Sequence, residues 1–525
     1  MSNTGVRFWV GAAACLVVIA CGSKRPVVPA PPDLSGLEQA DAQILQGCYD
    51  CLLDAQAIYR RIGRGTGRPL VLTKLFETSL LIALRHKELA LDPSEPLAEA
   101  RAIASELAPE VEADRYLTLV DAVPPDDVGT PRRTMAGFRR AQATFVSKVD
   151  SELTWLTTGT LREPFRQYLG LAIDCGYAPR ARTPGAPPRP TGVRQPPAGA
   201  PPLIAYRTAT CATLNQPILY RLRADHPRFV EASLFLARFD IAMAEQLGPG
   251  QAFPRLEESR ARFPASVAAS YLSGSINQAI GDCDAALAFY DEAIALAPLH
   301  EDAVLGRTIC LTYVKRHEEA IESATRLISS ETTLVSDGYY WRAFNRHVRK
   351  ELESARADIE RAKALRRNIE TSTLAGIIEY DQDDLDLSKR DLEVARKDST
   401  GDMNCTAIFY LALLHLKRQD SPTSARLFED GMSCYERGAA IAGLKLQEIE
   451  ARQDLEPVFR ARKIAMLRDA IREATSQRYA CAFNAANYYA VASNIPAAKR
   501  LVEIAAADPA LAEKVSKLKE WLKDK

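Results

Sequence analysis

The sequence predicts an all-α protein whose central part is an α-solenoid, and three observations support this fold class. Apolar residues recur at helical spacing along most of the chain, without the apolar-polar alternation that strands show. Small residues recur about every 34 positions, as at Ala286, Ala320 and Ala355. At 525 residues, the chain is also too long for one compact core. A regular period of this length is typical of stacked helix pairs.

The stretch 267–298 shows one repeating unit most clearly. It has the pattern of two amphipathic helices joined by a tight turn at Gly281 and Asp282. The first helix carries Gly274, and the second carries Ala286 twelve residues later. Two helices approach closely only where small side chains face each other, so these two residues are expected at the crossing.

The second helix of this unit adds the spacing that characterises the repeat. Tyr290 and Ala293 continue the face that begins with Ala286, and Pro298 ends the helix. With these intervals the stretch resembles a tetratricopeptide repeat, in which Ser270 replaces the large aromatic residue usual near the start. The resemblance implies recognition of protein or peptide segments along a concave surface, and it does not name the partner.

Neighbouring units repeat these intervals, as a solenoid requires because one repeat cannot bury its apolar face alone. We assign the tetratricopeptide-like array to residues 203–435, and C-terminal helical repeats with a polar capping helix to residues 436–525. The further matching positions are Gly376, Ser388, Leu392 and Ala395, then Ala412, Ser424, Phe428 and Gly431, and finally Ala486, Ala498, Val502 and Ala505.

The first twenty residues have the pattern of an export signal. The apolar run Val10–Ala20 is too short to span a bilayer. The stretch Val18–Gly22, with Cys21 after a small residue, resembles the bacterial lipoprotein signal, in which the cysteine is lipidated and becomes the new N-terminus. We expect residues 1–20 to be removed and the acylated Cys21 to anchor the chain to a membrane. A plain secretory signal and a retained short anchor are the alternatives.

The segment after the lipidated cysteine, residues 21–36, is rich in proline and predicts an extended tether. Gly22 and Ser23 resemble the start of lipoproteins sent to an outer membrane. In a bacterium with two membranes, the expected location is therefore the cell envelope, on the outer membrane and facing the periplasm.

Two further segments precede the repeats. Residues 37–178 predict an N-terminal helical domain without a clean 34-residue period, either drifted repeats or a separate domain. Residues 179–202 are rich in proline, glycine and arginine and predict a disordered linker or long loop. A solvated spacer is the simplest interpretation of this basic segment, and a recognition segment or a contact for acidic lipid or glycan is the alternative.

The cysteines are expected to meet an oxidising compartment, because the chain carries an export signal. Of eleven cysteines, Cys15 leaves with the signal and Cys21 takes lipid, so nine remain. An odd number leaves at least one cysteine free or paired between chains.

Two disulfide pairings are proposed from position. Cys405 starts the first helix of its repeat and Cys434 ends the second, so an antiparallel pair brings them together. Cys175 and Cys211 flank the linker and would close it as a loop.

No pattern in the chain predicts catalysis. Cys48 and Cys51 form a CxxC, but inside a helix they would not readily bridge, so two small buried residues are expected and a redox or metal pair is the alternative. The histidines are scattered, and the acidic run from Asp381 to Asp386 lacks the glycine and distal glutamate of a calcium loop. We predict no catalytic, cofactor-binding or metal-binding residue. The formal net charge is zero, so nucleic acid is not an expected partner.

The leading functional hypothesis is a membrane-tethered, extracytoplasmic scaffold that binds protein or peptide partners in envelope complex assembly. An envelope enzyme, or a peptidoglycan- or carbohydrate-handling accessory with a site in the N-terminal helical domain, is the alternative. In the scaffold, apolar anchors are expected on the first helices, with Tyr340 and Phe344 central, although some of these side chains would instead pack on neighbouring helices. The predicted groove residues are Tyr271, Leu305, Ile309, Tyr340, Phe344, His347, Ile377, Tyr380 and Phe409.

Overall fold

The computed structural model of the protein describes most of the chain beyond residue 33. The described segments are residues 34–64, 68–123, 155–156, 161, 163–177, 195–210, 215–242, 250–329, 334–397, 404–455 and 457–525. They form helices and no strand, which confirms the predicted all-α fold class. None of the described helices is both long and apolar enough to cross a bilayer. The predicted signal peptide with Cys21, most of the predicted tether, and the predicted linker up to residue 194 lie outside these segments.

Ten helices of the described segments precede the clear repeats. All of them except the helix Gln216–Asp225 contribute buried residues to one hydrophobic core that also includes Ile276, so the N-terminal helical block and the start of the array are continuous in space. The helix Gln216–Asp225 packs in a second core with Tyr206 and Phe229. These helices are α1 (Leu37–Gln46), α2 (Tyr49–Gly63), α3 (Arg68–Glu88), α4 (Ser94–Ala104), α5 (Ala113–Ala122), α6 (Phe165–Tyr177), α7 (Pro202–Thr210), α8 (Gln216–Asp225), α9 (Glu231–Ala242) and α10 (Ala252–Arg262).

The clear repeats follow as helix pairs that stack along the chain. The first helices of five pairs begin at residues 267, 301, 335, 369 and 405, at intervals of 34 residues except for the last, which is 36. The pairs are α11 (Val267–Ala279) with α12 (Cys283–Leu296), α13 (Glu301–Tyr313) with α14 (His317–Ser329), α15 (Val335–Val348) with α16 (Leu352–Leu365), α17 (Ile369–Asp381) with α18 (Leu385–Lys397), α19 (Cys405–Lys417) with α20 (Ser421–Ala451), and α21 (Pro457–Val491) with α22 (Ile495–Ala505), before a terminal α23 (Ala512–Lys523).

The turn inside each of these pairs has the same backbone shape. One residue per turn lies in the left-handed region, which glycine reaches without steric cost and other residues rarely adopt. The acidic run from Asp381 to Asp386 is one of these turns, between α17 and α18. The left-handed residues are Gly281, Lys315, Lys350, Asp383, Gln419 and Ser493.

Tyr290 determines how closely the first two repeats pack. Its side chain is 2% exposed, and it lies against two glycines, Gly274 on α11 and Gly306 on α13. A Cβ atom at Gly274 would lie 2.7 Å from the ring of Tyr290, and one at Gly306 would lie 2.4 Å from it. Neither distance leaves room for a side chain, so both glycines are needed for this approach. Ala286, predicted at the same crossing, is fully buried.

Two later repeats carry serine where the second helix of the first repeat has alanine. The hydroxyl of Ser388 donates to the carbonyl oxygen of Gly376 at 2.7 Å, and that of Ser424 donates to the carbonyl oxygen of Ala412 at 2.9 Å. Both serines are fully buried. The hydrogen bond therefore satisfies a buried hydroxyl and links the two helices of a pair, while the side chain stays small enough for the crossing.

A buried ion cluster joins the helices of the N-terminal block. The guanidinium of Arg85 on α3 is fully buried and stacks over the ring of Tyr206 on α7, 3.8 Å from its centroid. It donates to the carbonyl oxygen of Gly47 at 2.6 Å and pairs with Glu88 at 3.2 Å and with Glu231 on α9 at 3.7 Å. Burial raises the pKa of the Glu231 carboxyl, and Arg85 opposes that shift. Breaking such a pair leaves an uncompensated buried charge, so the cluster holds these helices in one arrangement.

The two longest described helices differ from the sequence interpretation. The charged stretches Ala439–Ala451 and Glu456–Ala474 predict two helices of their own, separate from an array that ends near Tyr435. Instead, α20 is one helix of 31 residues and α21 is one of 35. Their extra turns pack on each other as a hairpin, which we call the arm (residues 436–474). Neither Gly438 nor Gly443 breaks the helix, and the arm extends roughly 24 Å beyond the repeat.

The Tyr290 contact predicts an unusual effect of alanine. In an ordinary helix Gly→Ala is stabilising by up to about 1 kcal/mol, but Gly306→Ala should be destabilising by about 1–3 kcal/mol because the new methyl group meets a buried ring. Gly438→Ala is the matched control, since nothing lies within 4 Å of its Cβ position. Urea unfolding followed by circular dichroism measures both. A Gly306→Ala protein at least as stable as the control would contradict the packing described for Tyr290.

Candidate functional site

The face of the first helices that was predicted to line a groove is partly open to solvent. All of the predicted residues are of intermediate exposure, whereas their helix neighbours Ala303, Val304 and Ala343 are buried. A face that packed fully against other helices would be buried as those neighbours are. The half-exposed residues are Tyr271, Leu305, Ile309, Tyr340, Phe344, His347, Ile377, Tyr380 and Phe409.

Two exposed residues extend this face and were missed by the sequence analysis. Tyr313 is 69% exposed and Val348 is 43% exposed, and each lies four residues after a predicted groove residue, Ile309 and Phe344 respectively. Residues four apart share one side of a helix. The same spacing rule, continued by one more turn, would have identified both. We call the set Leu305, Ile309, Tyr313, Tyr340, Phe344 and Val348 the apolar strip.

Aromatic contacts strengthen the middle of the apolar strip. Trp341, also partly exposed, packs edge-on against Tyr340 with ring centroids 5.3 Å apart and against Phe344 at 6.0 Å. Burial raises the pKa of Tyr340 to about 12. Its hydroxyl is protonated at neutral pH, as a tyrosine hydroxyl ordinarily is, and can donate a hydrogen bond. An apolar surface with hydroxyl tips, here those of Tyr313 and Tyr340, suits recognition of a peptide backbone.

Other predicted groove residues are engaged within the protein. Tyr271 lies 4.8 Å from the ring of His300 between centroids. Phe409 packs on the ring of Phe428 at 5.7 Å. Both side chains therefore pack at least in part on neighbouring helices, which is the alternative that the sequence left open.

The far edge of the face is charged. The Nε2 atom of His347 lies 2.9 Å from a carboxylate oxygen of Asp381, and Lys350 lies 3.5 Å from the same carboxylate. In the next repeat the ammonium of Lys417 sits 4.1 Å from the centroid of the Tyr380 ring. His347 and Tyr380 are therefore parts of a polar rim rather than apolar anchors.

The arm returns to the beginning of the array. Phe459, near the tip, is 1% exposed and packs in a small core with Ile280 at the turn between α11 and α12. The guanidinium of Arg462 pairs with Asp282 at 2.6 Å, and Met466 lies over Gly281. The helices from α11 to α19 and the arm thus form a closed circuit of contacts.

Three carboxylates between α16, α17 and α18 lie close enough to hold a cation, with ligand atoms of Glu360, Glu379 and Asp391 within 4.8 Å of one another. The ammonium of Lys363 lies among them, in contact with Asp391 and 2.8 Å from Glu360. Arg367 donates to Asp391 at 2.9 Å. Protein cations thus occupy the position that a metal ion would take.

The structure contradicts the expectation for Cys48 and Cys51. The two residues form a disulfide with Cα atoms 4.9 Å apart. Cys48 is not inside a helix: it is the N-cap residue of α2, with φ of −65° and ψ of 153°, and the helix begins at Tyr49. The extended backbone turns the Cys48 side chain toward Cys51, which a helical backbone at both positions would not do. The prediction of an unbridged pair is wrong because it placed the start of the helix too early.

The other proposed disulfides have different outcomes. Cys405 and Cys434 are bridged, with Cα atoms 5.6 Å apart, between α19 and α20. Cys211 and the side chain of Cys175 lie outside the described residues, so that pair stays a prediction.

These features define an all-α helical-repeat protein with repeats that resemble tetratricopeptide repeats. No protein-family model and no curated protein matches the chain. Among solved structures, YrrB, a TPR protein with an unusual peptide-binding site, is 13% identical over 34% of this chain and 91% of its own, with a TM-score of 0.30. A tetratricopeptide repeat protein from Parabacteroides merdae is 14% identical over 55% and 99%, with a TM-score of 0.36. The Rap protein complexed with Competence and Sporulation Factor is 12% identical over 61% and 94%, with a TM-score of 0.35. At these values the likenesses support no assignment of function.

Glu379 predicts a pH-dependent stability. Its side chain is nearly fully buried, Oε2 has no hydrogen-bond partner among the described residues, and burial together with Asp391 raises its pKa from 4.5 to about 7. An acid with a raised folded-state pKa costs stability when ionised, so this cost is absent below pH 4.5, grows up to pH 7 and is constant above. Glu379→Gln should therefore be stabilising by about 1–2 kcal/mol at pH 8, an advantage that shrinks as the pH falls.

Unfolding midpoints measured from pH 4 to pH 8.5 test this prediction. Glu370→Gln removes a carboxylate from an exposed position of the same helix and is the control for the same chemical change outside the buried site. A Glu379→Gln advantage that is constant across the range would show that Glu379 does not titrate in the window.

Proposed function

We propose that the protein is a non-catalytic scaffold that binds an extended peptide or an amphipathic helix on the apolar strip. The observation that carries the proposal is the alignment of large, half-exposed apolar side chains across the consecutive helices α13 and α15. Matching residues of the strip on α13 and α15 are 35 positions apart, as at Ile309 and Phe344, which is close to the repeat period, so the two neighbouring repeats present them side by side. Such a row offers contacts to alternate side chains of a bound segment. The polar rim at His347 and Lys417 would favour one orientation of that segment along the strip.

We further infer that the scaffold works at a membrane of the bacterial envelope, held by an acylated Cys21 and facing the periplasm on the outer membrane. The support is the sequence pattern at Val18–Gly22 and the proline-rich segment behind it. Two or more acyl chains on one cysteine anchor a protein without a spanning helix. A tethered groove would gather its partner into an envelope complex.

The strip is tested by removing its two central anchors. The partner is first identified by cross-linking and co-purification of the full-length chain from solubilised membranes, and its affinity is then measured with purified protein. Replacing Tyr340 and Phe344 together by alanine should raise the dissociation constant at least tenfold, because large central apolar side chains contribute most of the binding free energy of an interface. The circular dichroism spectrum should remain helical.

The matched control replaces Leu296 and Leu365, which are 41% and 59% exposed and lie on second helices, by alanine. This double variant removes similar apolar area and should bind as the unmodified protein does. Equal affinity for the Tyr340 and Phe344 variant would move the binding site away from the strip, to the N-terminal block.

The anchor is tested separately with Cys21→Ser. This protein should stay unprocessed or be released in soluble form, whereas the unmodified chain should fractionate with membranes and yield an acylated N-terminal peptide by mass spectrometry. Cys15→Ser, within the predicted signal, is the control and should leave both properties intact. Membrane partition of Cys21→Ser with an intact mature N-terminus would overturn the lipoprotein assignment.

A further inference from the structure

Two cysteines of neighbouring repeats meet at the boundary between them. Cys283 is the first residue of α12 and is 8% exposed, and Cys310 lies on α13 and is fully buried. Their Sγ atoms are 2.6 Å apart. This is far inside the distance at which two unbonded sulfur atoms rest, and close to the S–S bond length of about 2.05 Å.

We propose that Cys283 and Cys310 form a disulfide that staples the first clear repeat to the second. The inference rests on the proposed export of the chain, because a disulfide persists in an oxidising compartment and not in a reducing one. A bridge here links two repeats covalently, whereas the bridge between Cys405 and Cys434 lies within one repeat.

The chemistry is a thiol–disulfide exchange with an external disulfide as oxidant. The Cys283 thiol, at the N-terminus of α12 and at the less buried end of the pair, loses its proton, and its thiolate attacks one sulfur of the oxidant. The oxidant releases its other sulfur as a thiolate, leaving a mixed disulfide on Cys283. The Cys310 sulfur, after losing its proton, attacks that bond and releases the second thiolate. The protein loses two protons and two electrons, and the oxidant becomes two thiols.

The place of this bridge ties it to the arm. Cys283 directly follows the turn at Ile280, Gly281 and Asp282, which receives Phe459, Met466 and Arg462 from the tip of the arm. A covalent link beside the turn fixes the surface on which the arm docks. Of the remaining described cysteines, Cys481 is fully buried, and burial raises its pKa to about 12, which leaves it an inert thiol.

Peptide mapping of the full-length protein tests the proposal. Cells are quenched in acid, free thiols are blocked with N-ethylmaleimide, and the chain is digested with trypsin without reduction. Cleavage after Arg262, Arg307 and Lys315 separates the two cysteines, so the bridge appears as the peptide 263–307 joined to the peptide 308–315. Recovery of Cys310 carrying the maleimide label in most molecules would overturn the proposal.

A second experiment distinguishes failure of the disulfide proposal from failure of the proposed location. Purified, reduced protein is incubated with oxidised glutathione and mapped in the same way. A bridge that forms in vitro but not in cells shows that the geometry is right and that the chain does not reach an oxidising compartment. Absence of the bridge in both samples shows that the two sulfurs do not react. An oxidised protein with both Cys283→Ala and Cys310→Ala keeps the bridges Cys48–Cys51 and Cys405–Cys434 and should unfold at a lower temperature than the oxidised parent. When both proteins are reduced, this difference in unfolding temperature should become small.

Discussion

The array depends on the close approach of neighbouring helices, and Tyr290 shows the constraint most directly. The ring fills the space between α11 and α13, and the glycines at Gly274 and Gly306 are what allow it to lie there. With the second helix of a pair held against two first helices at once, the rotation of each first helix is fixed. Because that rotation recurs with the repeat, the same outward face is presented by successive helices, and the apolar strip is the result.

The periodic parts of this structure are the parts that the sequence could predict. Small residues at fixed intervals mark the places where neighbouring helices cross, so the repeats follow from spacing alone. The same spacing also predicts that Tyr340 and Phe344 lie on the partly exposed side of their helix. Continuing this helical spacing by one more turn would have added Tyr313 to the predicted groove residues. Whether a given groove side chain also packs on a neighbour, as Phe409 does on Phe428, depends on side-chain geometry between helices that spacing does not specify.

The aperiodic parts could not be predicted, for different physical reasons. Phe459 and Ile280 meet although nearly 180 residues separate them, and no interval in the sequence relates them. Arg85 is an ordinary charged residue in the sequence, and only the fold surrounds it with Glu88 and Glu231. Whether Cys48 and Cys51 can form a disulfide depends on the residue at which the helix begins. A sequence pattern does not define the start of a helix to a single residue.

The contact of the arm with the first turn changes the mechanics of the solenoid. A linear stack of repeats behaves as a spring, since each repeat touches only its neighbours and small changes in each junction add up along the stack. Here the arm joins the fifth clear helix pair to the first, so contacts at its tip fix the position of the first pair relative to the fifth. Stretching or uncoiling the helices from α11 to α19 first requires the tip of the arm to detach. The relative arrangement of these repeats is therefore held by contacts within the chain itself.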